Sequence, residues 1–136
     1  MHLFSVERHR SFTGAQFLDR RVPYWYRDIN RQTLDVGDYE KCLMGQLFGT
    51  YNIGCEMLNI TEKDAFAFGF WSGMCNKSKR EKRYRKLAIE WRERIIERLR
   101  KDEMQTVVQP ETKRTPRRIV AALTTAAIIL LCIVSL

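Results

Sequence analysis

The stretch Tyr84-Arg85-Lys86-Leu87-Ala88-Ile89-Glu90-Trp91-Arg92-Glu93-Arg94-Ile95-Ile96-Glu97-Arg98-Leu99 decides the fold class. Tyr84, Leu87, Ala88, Trp91, Ile95 and Leu99 recur in it at three- and four-residue intervals. On a helical period these positions form one apolar face. Glu90 with Arg94 and Glu97 with Lys101 are favourable pairs four residues apart, and Glu93 with Glu97 is a like-charged one. Their sum is only a few tenths of a kcal/mol. The spacing predicts one long amphipathic helix over residues 77–104. Trp91 and Tyr84 face either a domain core or a membrane interface, where Trp91, Ile95 and Leu99 add apolar burial.

This helix also holds the charge. The chain of 136 residues has 24 Lys and Arg against 16 Asp and Glu, a net charge of +8. Residues 1–76 contain 8 basic and 9 acidic residues, whereas residues 77–101 contain 12 and 4. The positive charge is therefore one block. Its densest part is Lys77, Lys79, Arg80, Lys82, Arg83, Arg85 and Lys86. Three readings fit the block: a solvated helix face, a patch that neutralises nucleic-acid phosphates, or a surface for anionic lipid.

Ahead of the long helix the chain reads as a small helical domain over residues 1–76. Residues 1–12 carry no clear period. Thr13 and Gln16 have capping-box form, and Pro23 suits a first helical turn. These signals predict helices over 14–21 and 23–30, the second carrying Trp25, Tyr26 and Ile29. Asp35 is read as the cap of the next helix, with Asp38 in its first turn and Tyr39, Leu43 and Leu47 along one side. Gly49 ends that helix or admits a neighbouring backbone. A short helix is expected over 51–58. Thr61 and Asp64 give another cap, opening the apolar run Ala65 to Trp71. The fold class is all-α.

Behind the long helix, residues 105–118 contain Pro110 and Pro116 and no period, the pattern of a linker. Residues 119–136 then contain no charged side chain. Eighteen helical residues span about 27 Å, close to the roughly 30 Å of a hydrocarbon core. This segment is expected to be a single transmembrane helix acting as a tail anchor. Arg117 and Arg118 stand at its entry, so the positive-inside bias places the N-terminal domain on the cytoplasmic side of the inner membrane.

Few motifs carry chemistry. The chain has no phosphate-binding glycine loop, no nucleophile elbow and no H-E-x-x-H. A thiol–imidazole pair of Cys42 with His2 or His9, and a zinc site from Cys42, Cys55, Cys75 and His9, are both weaker readings than free thiols in a reducing compartment. No catalytic, cofactor-binding or metal-ligating residue is assigned, and the chain is read as non-enzymatic. Gly45 and Gly49, four apart with Gln46 between them, would leave a smooth groove on a helix. That groove either takes a neighbouring segment of the same chain or docks a partner helix.

Pro23-Tyr24-Trp25, Leu34-Asp35, the run Cys42-Leu43-Met44-Gly45-Gln46-Leu47-Phe48-Gly49-Thr50-Tyr51, Gly54 and Gly69-Phe70 resemble a family of small uncharacterised actinobacterial phage and prophage proteins. The similarity covers residues 18–71 and is densest in the C-[LV]-x-G-Q-L-[FY]-G-x-Y run. It implies a phage gene product with a small helical domain and transfers no catalytic residue. The basic helix and the tail depart from the family pattern. The expected function is that of a membrane-tethered interaction or regulatory protein, with anionic lipid and a host protein as partners. A membrane-tethered nucleic-acid-binding protein using residues 77–101 is the alternative, and a holin-like lysis accessory is the second alternative. Deleting residues 119–136 is expected to move the protein from the membrane to the soluble fraction. Truncated protein that stays on membranes through a high-salt wash contradicts the anchor.

Overall fold

The computed structural model describes residues 5–108. The expected tail, and Arg117 and Arg118 at its entry, lie outside the described residues. Among the described residues no helix is long and apolar enough to cross a membrane. Their regular elements are α1 (Val6–Arg21), a 3₁₀ turn (Trp25–Arg27), α2 (Leu43–Phe48), α3 (Tyr51–Met57), α4 (Glu62–Ala67) and α5 (Lys77–Val108), with no strand. Of the described residues, 5–103 belong to one compact unit and 104–108 to a second.

The apolar face read from the sequence of α5 is the centre of the core, not a membrane interface. Leu87, Trp91 and Ile95 are fully buried and Ala88 nearly so, while Tyr84 and Leu99 are half-buried at its two ends. The Trp91 ring stacks on Phe70 at 5.4 Å and meets Trp25 edge-on at 5.8 Å. Its indole N–H donates to the Gly69 carbonyl at 2.8 Å, so this buried donor has its partner. Gly14 of α1 lies under the same ring, where an added Cβ would come within 2.9 Å of it. Interfacial burial of Trp91 and Ile95 is thus excluded. Helix α5 begins at Lys77, and its residues through Glu103 share one compact unit with the elements before it. The helix also continues through 105–108, where linker was expected. The first proline after Lys77 is Pro110, and no glycine or proline lies between them.

The N-terminal half differs from its sequence reading in three places. Helix α1 starts at Ser5, whose hydroxyl accepts from the Arg8 N–H at 3.2 Å. Thr13 is mid-helix, donating back to the His9 carbonyl at 3.0 Å rather than capping. The period of residues 6–12 is obscured because Arg10 and Ser11 occupy buried positions. Arg10 lies over the Phe66 ring, donates to the Phe66 carbonyl at 2.5 Å and also donates to the Trp71 carbonyl. Second, no helix spans 23–30. Tyr24 has φ of 60°, a left-handed conformation that stops a helix, and only one 3₁₀ turn comes after it. Third, Asp35 does not cap a helix. Its carboxylate accepts from the Gly37 N–H at 2.9 Å, and that of Asp38 accepts from Glu40 and Lys41 at 2.9 and 3.0 Å. Two successive Asx turns replace the expected first turns of helix. The Thr61–Asp64 capping box forms as read.

Asp19 ties three elements together. It accepts from the Trp25 indole N–H at 2.8 Å and from Arg98 of α5 at 2.8 and 2.6 Å. Burial opposes its ionisation, but hydrogen bonds from Arg98 and Trp25 outweigh that and hold the carboxyl below the usual range. A depressed folded value means the stabilisation is complete above the unfolded carboxylate pKa and is lost as pH falls through the folded one. Asp19→Asn is expected to lower stability at neutral pH by about 1–2 kcal/mol. In thermal melts, the gap from the parent should close below about pH 4. A gap independent of pH would show that the charge of Asp19 contributes nothing.

Candidate functional site

The basic block lies on the first three turns of α5. Lys77, Lys79, Arg80, Lys82, Arg85 and Lys86 are exposed. Arg83 is half-buried and donates to the Ser72 carbonyl at 3.2 Å. Further along, the arginines are taken up by the domain. Arg92 donates to the carbonyls of Arg31 and Leu34, both at 2.9 Å. Arg94 is buried and pairs with Glu97 at 3.1 Å, and Arg98 holds Asp19. The twelve basic residues of 77–101 therefore divide: Arg92, Arg94 and Arg98 hold the fold and Arg83 is tied to Ser72, whereas the six other cations of 77–86, with Arg100 and Lys101 further along, are exposed. Ile89, 57% exposed, is apolar surface beside them.

Residues 32–41 and α5 enclose a cleft of about 880 Å³. Its walls carry Lys41, Arg80, Arg85 and Arg92 against Asp35 and Glu81, with Leu34, Ala88 and Ile89 as apolar surface. A second pocket of about 540 Å³ is lined by Cys42, Tyr51, Phe70, Trp71 and Tyr84, with Asp38, Glu62 and Arg80 also at its walls. Tyr84 borders both pockets, packed on Gly37, where an added Cβ would lie 3.0 Å from the ring. The sequence reading singled out Arg80 and Arg85 but missed Lys41. Only the double turn of residues 35–41 brings Lys41 opposite the helix. The Asp35-Val36-Gly37-Asp38 composition is itself a turn signal that favours this over helix.

Gly45 and Gly49 have different reasons to be glycine. At Gly45 an added Cβ would collide with the backbone of Tyr39 and Glu40, so the chain's own segment occupies that face. At Gly49 an added Cβ meets nothing within 4 Å, but φ is +99° at the C-cap of α2, outside the range of L-residues. Gln46 between them accepts from the Asn30 N–H at 2.6 Å and donates to the Lys41 carbonyl at 2.9 Å. Gly45 and Gln46 thus shape the loop that walls the cleft, and Gly49 ends α2.

Cys42 acts as a helix cap. Its Sγ accepts from the Gly45 N–H at 3.3 Å, and burial pushes its thiol pKa up. That direction disfavours the thiolate a nucleophile needs. His2 lies outside the described residues, and His9 is exposed on α1. Among the described residues no group of three His, Cys, Asp or Glu is arranged to hold a metal ion. No family model, curated protein or solved structure matches the chain.

Gly45→Leu and Gly49→Leu are each expected to destabilise the protein by about 1–3 kcal/mol, the first by overpacking and the second by backbone strain. Thermal melts of the two variants check this. Parent-like melting of both, with loss of a partner in a pull-down, would instead make this face a docking surface.

Proposed function

We propose that the protein is a membrane-tethered, non-enzymatic interaction protein, phage-encoded, whose first turns of α5 meet the anionic lipid of the inner membrane's cytoplasmic leaflet. The observation that carries this is the set of six exposed cations between Lys77 and Lys86, beside later arginines that the fold consumes. Each such residue near an anionic surface contributes about 1 kcal/mol. The uncharged segment 119–136 supports tethering, and a tether raises the effective concentration of lipid around weak cationic contacts. Arg117 and Arg118 support a cytoplasmic domain. The resemblance over residues 18–71 supports the phage origin. Because Trp91 and Ile95 are core residues, the attraction is electrostatic, assisted by exposed Ile89, and weakens with salt.

The same cations would neutralise nucleic-acid phosphates, and one experiment separates the two partners. The full chain is placed in nanodiscs of phosphatidylcholine with or without phosphatidylglycerol, at physiological ionic strength. Acetylation of individual lysines is then measured by mass spectrometry. Labelling of Lys77, Lys79, Lys82 and Lys86 is expected to slow in the anionic discs, with Lys63 on α4 unchanged. If duplex DNA protects those four lysines and anionic discs do not, the lipid reading gives way to a nucleic-acid one.

A further inference from the structure

We propose that the cleft between residues 32–41 and α5 is a binding site for one phosphate ester, either the headgroup of an anionic phospholipid or a soluble organic phosphate. The proposal rests on the lipid reading only for the source of the ester.

A diffuse cationic surface would come from one helix face alone. Here the positive charge converges from two segments: Arg80 and Arg85 from α5, and Lys41 from the loop opposite. Arg92 adds a fourth cation in a fixed position, since the carbonyls of Arg31 and Leu34 hold its guanidinium. Two acids oppose these four cations. Of these, Asp35 already accepts the Gly37 N–H through Oδ1. The balance favours an anion, and planar guanidinium forks suit phosphate oxygens. Lys41 is shared with Asp38 at 3.7 Å, a long pair that a phosphate oxyanion can outcompete.

The remaining surface argues for an ester rather than a bare ion. Exposed Ile89, backed by the nearly buried Leu34 and Ala88, gives the cleft an apolar side that inorganic phosphate cannot use and a glycerol-sized carbon skeleton can. The volume of about 880 Å³ lies within the range of small-ligand sites. The neighbouring aromatic pocket has the opposite balance, Asp38 and Glu62 against Arg80, so it does not compete for the same ligand.

The test uses the full chain in non-ionic detergent micelles and glycerol 3-phosphate as the probe, read by calorimetry. Two double variants remove equal charge: Arg80→Gln with Arg85→Gln inside the cleft, and Lys79→Gln with Lys82→Gln outside it. The first pair is expected to weaken binding roughly tenfold or more and the second less than about twofold. Lys41→Gln, which leaves α5 untouched, should fall with the first pair. Equal losses from both pairs, or no binding by the parent, would overturn the cleft and leave the lipid-surface reading standing. Phosphatidylglycerol added to the micelles, with phosphatidylcholine as control, then identifies the source. Competition with glycerol 3-phosphate assigns the site to a lipid headgroup. Binding without competition assigns it to a soluble ester, even if the nanodisc experiment shows no lipid contact.

Discussion

Three separate segments of the chain meet at the indole of Trp91. Gly14 of α1 lies beneath it, Trp25 of the 3₁₀ turn meets it edge-on, Phe70 stacks on it, and the Gly69 carbonyl accepts its N–H. A buried tryptophan of this kind contributes on the order of 3–5 kcal/mol, a large share of the roughly 5–15 kcal/mol that holds a domain of this size. The short helices α2 to α4, of 6, 7 and 6 residues, are below the length that is stable alone. They are held by tertiary packing, and α5 gives that packing its longest surface. Arg92, Arg98 and Asp102 extend the same attachment outward, to residues 31–34, to Asp19, and to Tyr26 and Arg27.

That constraint governs where function can reside. Along α5 the apolar face from Tyr84 to Leu99 is committed to the fold, so a surface for a partner draws on the turns ahead of it and on residues beside that face, such as Arg85 and Ile89. The turns ahead of it hold the densest run of positive charge in the chain. The core position of α5 also fixes the cleft. Arg92 binds the start of the 31–41 loop to the helix, Tyr84 packs on Gly37, and Lys41 is thereby set across from Arg80 and Arg85. A structural attachment and a candidate binding surface are thus built on consecutive turns of one helix.

The sequence made the core face of α5 legible because six apolar residues there keep an unbroken helical spacing. The α4 cap was legible too, since Thr61 and Asp64 carry out a local exchange of hydrogen bonds that needs no tertiary partner. The first two turns of α1 were hidden for the opposite reason. Arg10 sits where the pattern expects an apolar residue, and only its long-range contacts with Phe66 and Trp71 make burial tolerable. Residues 35–42 misled because Asp serves both helix caps and Asx turns, and the next few residues of the chain decide between them. Within the site, the basic block could be read from composition. Its division into fold-holding arginines and exposed cations could not, because the acceptors lie about sixty to eighty residues away in sequence.

Hydrogen exchange along α5 in the full-length protein tests most directly the claim that one helix serves both the core and a free cationic surface. Amides of residues 87–98 are predicted to exchange only through global unfolding, at the same free energy as those of the buried segment around Gly45. Amides of residues 81–84 should open locally at lower cost. Uniform protection along the whole of 81–98, weaker than that of α2, would mean that α5 stands apart from the core and would contradict the account.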